Sequence, residues 1–63
     1  MPLTLVQLRA IQRLLRHALG LIEDAKIIAA AGGDADQEKR LTSVRRVVVD
    51  EFSEVQAKIG GKS

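Results

Sequence analysis

Residues 29–37 read Ala29-Ala30-Ala31-Gly32-Gly33-Asp34-Ala35-Asp36-Gln37, and this stretch decides the fold. Three good helix formers end one pattern, two glycines break it, and an aspartate opens the next. Glycine just past a helix supplies the left-handed conformation that turns the chain away from its axis, and Gly32 is expected to take that positive φ. A short polar residue then caps a second helix. Asp34 with Gln37 at the third helical position makes the better capping box, and Asp36 with Lys39 the weaker one.

Upstream of the break, helical signals accumulate. Thr4 and Gln7 fit a capping box, with Leu3 and Leu8 placed for a hydrophobic staple. The apolar residues Leu8, Ile11, Leu15, Ala18, Ile22, Ala25 and Ala29 then follow one another in alternating steps of three and four. That spacing keeps a seam on one side of a helix. The expected helix runs from about residue 4 to 31. At a rise of 1.5 Å per residue it is about 40 Å long.

Downstream, Leu41, Val44, Val48, Phe52, Val55 and Ile59 advance by 18 residues in five steps, a mean of 3.6. This is the period of a straight α-helix. The β-prone triplet Val47-Val48-Val49 is flanked by Arg45, Arg46, Asp50 and Glu51 without strand-like alternation, so it reads as helix. Helix 2 is expected over about 35–59, with Gly60-Gly61 ending it and residues 60–63 as a frayed tail. The single proline is Pro2, which leaves the rest of the chain free of helix breakers of that kind. The fold class is all-α: one domain over 1–63, an antiparallel hairpin of two long amphipathic helices around a turn at 32–34.

Sixty-three residues make a thin core. Chains this short bury only about 60% of their unfolded surface, and most need a disulfide, a metal or self-association. With no cysteine and one histidine, His17, neither a disulfide nor a structural metal site is expected. Self-association remains. Helix 1 is apolar over a wider arc than helix 2 can cover, because Leu14, Leu21 and Ile28 form a second line seven residues apart, with Ala10 beyond them. A flank of that kind usually marks an interface. The expected completion is a homodimeric four-helix bundle, its interface drawn from Leu14, Leu21, Ile28, Ala10, Ala18 and Ala25.

Charge is asymmetric. Residues 1–22 carry Arg9, Arg13 and Arg16 and no acid, whereas the seven remaining Lys and Arg are set against eight Asp and Glu. Arg9, Arg13 and Arg16, with His17, form a basic stripe suited to phosphates or to an acidic protein surface. In a hairpin the arginines are expected alongside Asp50, Glu51 and Glu54, which offset them, and Arg40, Arg45 and Arg46 alongside Glu23 and Asp24. The only aromatic is Phe52 and the only amide among the arginines is Gln12, so neither a base-stacking platform nor a base-reading helix is indicated. Gly20 and Ile27, on the outer side of helix 1, make a small candidate docking patch.

Enzyme chemistry has no foothold in the pattern. Ser43, Ser53 and Ser63 have no His/Asp neighbourhood, and the adjacent pairs Glu23/Asp24 and Asp50/Glu51 point to different sides of their helix. The terminal Gly-Gly-Lys-Ser resembles the end of a phosphate-binding loop but has Gln56 where the first glycine belongs. No catalytic, cofactor-binding or metal residue is assigned. No apolar run reaches the ~18 residues of a membrane span, and the N-terminal stretch lacks a secretory-signal layout. The expectation is a cytoplasmic, non-enzymatic interaction protein: an adaptor, assembly factor or inhibitor that pairs with itself and with another protein. A nucleic-acid-binding regulator using the arginine stripe is the alternative.

Overall fold

The computed structural model describes residues 2–62. Helix α1 spans Leu5–Ala31 and helix α2 spans Ala35–Lys62, packed side by side as a hairpin of 45 × 18 × 15 Å. Helix α1 starts as its sequence directs. The Gln7 amide donates to Thr4 Oγ1 at 3.1 Å, and the Thr4 amide donates to Gln7 Oε1 at 2.9 Å. Both bonds satisfy donors that a helix N-terminus leaves without an internal partner.

The turn corrects one expectation. Gly32 has φ −80° and ψ −5°, still right-handed, and Gly33 takes the positive φ of 74°. The Gly33 amide donates to the Ala30 carbonyl at 3.1 Å, and the Asp34 amide to the Ala29 carbonyl at 3.0 Å. These are the two bonds of a Schellman motif whose left-handed residue is Gly33. Helix α1 therefore keeps Gly32 as its cap residue, and the reversal falls one residue later than expected.

That arrangement also decides how α2 begins. Asp34 Oδ1 accepts the Gln37 amide at 3.0 Å, so Asp34 is the cap. The reciprocal half of the capping box does not form, because the Asp34 amide is already committed to Ala29. One residue thus closes α1 through its backbone and opens α2 through its side chain.

A second correction concerns the C-terminus. Helix α2 continues through Gly60 and Gly61 to Lys62, and Ser63, the last residue of the expected tail, lies outside the described residues. Glycine weakens a helix by roughly 1 kcal/mol per residue without forbidding it, and the half-buried Ile59 anchors this last turn.

The seam holds the hairpin. Leu8 is 1% exposed, and Val55 and Ala29 are also buried. Ile11, Leu15, Ala18, Ile22 and Ala25 of α1 are half-buried, as are Leu41, Val48, Phe52 and Ile59 of α2. Two helices cover each other along one line and leave both sides open, which is why so few residues are fully enclosed. Val44 departs from the expected seam at 48% exposed. Three residues on from Leu41, it is turned about 60° from that side chain around the helix, toward solvent.

Candidate interaction surface

The hairpin has two broad faces, and residues in contact across the seam tell them apart. Glu23 pairs with Arg45, and the Arg16 guanidinium carbon sits 5.9 Å from the centroid of the Phe52 ring. Glu23 immediately follows the seam residue Ile22, and Arg16 follows Leu15. Each residue advances about 100° around a helix. The residue after a seam position therefore turns to one face, and the residue before it to the other.

This rule places Leu14, Leu21 and Ile28 together on the second face, since they precede Leu15, Ile22 and Ala29. They are 67%, 57% and 72% exposed, so α2 leaves this line in water. Helix α2 adds to the same face. Val47 precedes Val48 and is 63% exposed, and Val44 leans the same way. The exposed apolar surface is thus built by both helices, with an α2 contribution that the sequence pattern alone did not assign. The signal lies in Val47-Val48-Val49, where each valine's step of about 100° from the next sets the face it occupies.

Ala18 and Ala25 are half-buried in the seam and Ala10 is half-buried beyond the leucine line, so these small residues flank the exposed strip. A depression of about 270 Å³ lined by Pro2, Leu3, Leu8 and Lys58 lies at the open end of the hairpin. The staple residues Leu3 and Leu8 meet there.

The arginines behave differently from the expectation. Arg9, Arg13, Arg16 and His17 are exposed. Among the described residues, neither Arg9 nor Arg13 forms an ion pair with an acid of α2. The register is right but the face is wrong. Glu51 and Glu54 precede the seam residues Phe52 and Val55 and so turn to the leucine face, whereas Arg9 and Arg16 turn away from it. Arg16 uses the Phe52 ring instead. Of the second basic cluster, Arg45 meets Glu23 as expected, and Arg40 pairs within α2, 3.3 Å from Asp36.

Gly20 and Ile27 are both exposed on the outer side of α1. A Cβ built at Gly20 meets nothing within 4 Å, so no packing inside the hairpin requires glycine there. No described helix is long and apolar enough to cross a membrane. Among the described residues no three His, Asp or Glu gather as metal ligands would.

Comparison with protein-family models, curated proteins and solved structures finds no match.

Proposed function

We propose that this chain is a non-enzymatic interaction module that acts through its broad apolar face, completing a four-helix bundle as a homodimer and docking onto a partner protein as an adaptor, assembly factor or inhibitor. The observation that carries the reading is the exposure of Leu14, Leu21 and Ile28 in one line on a 63-residue chain with three buried hydrophobic residues among those described. Covering a large aliphatic side chain is worth roughly 1.5–3 kcal/mol, and a hairpin with so small a core gains most from covering this line.

Light scattering tests the self-association: the mass in solution is expected to be at least twice the 6.9 kDa of the chain. A monomer that melts cooperatively at micromolar concentration overturns it. Affinity capture from the native host, with a nuclease-treated control, then separates a protein partner from a polynucleotide.

One observation favours a second reading. Among the described residues Arg9 and Arg13 stand without carboxylate partners, so no described acid neutralises their charge, which is available to phosphates. Binding of RNA or DNA that disappears on replacing Arg9 and Arg13 would support a nucleic-acid-binding regulator.

A further inference from the structure

The leucine line and the outer charges of the apolar face are arranged about one centre, with His17 and Asp24, which precede Ala18 and Ala25, also on the face. Along α1, Leu14 and Ile28 lie seven residues to either side of Leu21. Along α2, the same face carries Asp36, Arg40, Val47, Glu54 and Lys58, with Ser43 and Glu51 four residues to either side of Val47. Asp36 and Lys58 lie eleven residues to either side of Val47, and Arg40 and Glu54 lie seven to either side. The four outer charges reverse sign about Val47, while Glu51 is set against the neutral Ser43. Arg40, Glu54 and Lys58 each precede a seam position, and Asp36, eleven residues before Val47, is turned within about 20° of it around the helix. Asp36 and Arg40 have largely exposed side chains.

The two centres stand at the same height. Glu23 opposite Arg45 and Arg16 beside Phe52 fix the register of the hairpin, and that register sets Leu21 level with Val47. One two-fold axis through this level serves both helices. It runs in the plane of the face and across the helix axes, so each helix meets its own copy antiparallel.

We infer that the occupant of this face is a second copy of the chain, docked with its glycine turn at the opposite end, with Leu21 and Val47 at the two-fold. The inference rests on the proposal that this face is the interface, and it specifies the partner and its orientation. Leu14 of one copy then packs on Ile28 of the other. Arg40 meets Glu54, and Lys58 meets Asp36, twice each by symmetry. A dimer with both turns at one end sets α1 over α2 and brings none of these charge pairs together. The area permits it: the broad face of a hairpin 45 × 18 Å in outline has a footprint of roughly 800 Å², so a copy that covers the whole face reaches the size that stable interfaces bury per partner.

Charge reversal tests the orientation in the full chain. Arg40→Glu places acids on both sides of each Arg40–Glu54 contact, and Glu54→Arg places bases there. Each variant alone is expected to dimerise roughly tenfold more weakly than the wild type at low salt, the sum of two lost and two repulsive pairs. Mixed one to one, they are expected to form a heterodimer near wild-type affinity, because every reversed residue then meets its opposite. Helicity by circular dichroism checks that each variant still forms its hairpin. As a second measurement, spin labels on Ala35→Cys are clean in a chain without cysteine. The opposed orientation sets them roughly 36 Å apart by helix rise, against under about 20 Å for turns side by side. A wild-type chain that stays monomeric overturns the interface itself and leaves the face to a different protein. A wild-type dimer whose two reversals do not rescue each other, or whose labels lie close together, overturns the orientation alone.

Discussion

Arg16 stands over the ring of Phe52, its guanidinium carbon 5.9 Å from the centroid. Phe52 is the one aromatic residue in the chain and is half-buried in the seam. An arginine laid across such a ring gains from the negative ring face and shields apolar surface with its own stem. The contact links the open half of α1 to α2 without a carboxylate. A double-mutant cycle with Arg16→Gln and Phe52→Leu, read by urea denaturation, is expected to give a coupling of about 0.5–1 kcal/mol. Strictly additive effects would remove the contact from the list of stabilising interactions.

The Glu23–Arg45 pair is a second polar link across the seam, and its side chains remain 47% and 46% exposed. Screening by water therefore holds its contribution to a fraction of 1 kcal/mol. Glu23→Gln is expected to lower stability by that small amount at low salt and by less at high salt. Arg9→Gln and Arg13→Gln are expected to leave stability within about 0.5 kcal/mol of wild type, since neither breaks an ion pair. A loss above 1 kcal/mol on replacing Arg13 would contradict the arrangement described.

The two glycines of the turn are not equivalent. Gly33 at φ 74° is in the region that side chains rarely adopt, and Gly33→Ala is expected to cost about 1 kcal/mol. Gly32 has ordinary helical φ, and a Cβ there would sit 3.5 Å from the Ile28 carbonyl oxygen, normal contact. Gly32→Ala is therefore expected to be neutral or mildly stabilising. Gly20→Ala, with open space around it, is expected to gain up to about 1 kcal/mol. Loss of partner binding with that gain in stability would mark Gly20 and Ile27 as a docking patch. Thermal melts of the three variants separate these cases.

How much of this was legible follows from the range of each signal. The capping box at Thr4 and Gln7 and the seam of α1 are local, and spacing alone reveals them. Which glycine turns left-handed depends on a one-residue shift in where α1 stops, and two adjacent glycines permit either. Spacing from the turn sets the arginine stripe and the acids of α2 at matching heights, but height says nothing of face. That needed the rotation of each helix about its own axis, which Glu23–Arg45 and Arg16–Phe52 supply. The same rotation revealed Val44 and Val47 beside the leucine line. Residues 60–62 stayed helical because glycine only weakens a helix, and Ile59 lies one position upstream.

Leu21→Glu is the direct test of the leucine line. Leu21 is 57% exposed in the hairpin, so a glutamate there is well solvated in a single chain and costs little. At the centre of a dimer it meets its own copy and loses its water, a penalty of several kcal/mol for each unpaired buried charge. The variant is expected to dissociate, and to lose helicity if the hairpin is unstable alone. Sedimentation and circular dichroism read the two outcomes. A Leu21→Glu chain with unchanged mass and melting temperature would exclude Leu21 from any interface.

The arginine stripe separates the two functional readings by its response to salt. Neutralising Z phosphates of duplex DNA releases counterions, so binding falls with a log–log slope of about −0.9Z. Three arginines per chain, doubled in a dimer, set a ceiling near −5 on that slope. Among the described residues the stripe has no carboxylate partners to weaken it, but it offers no amide readers beyond Gln12, and its one aromatic neighbour lies half-buried beneath Arg16. Non-specific electrostatic contact of this kind typically gives dissociation constants of about 10⁻⁴–10⁻⁶ M at physiological salt. The expected result is therefore binding no tighter than that range, abolished by replacing Arg9, Arg13 and Arg16 with Gln while helicity is retained. A complex with RNA or DNA well below micromolar, lost with rising salt at a slope approaching that ceiling, would make the stripe the functional surface and the leucine face the means of presenting two copies of it.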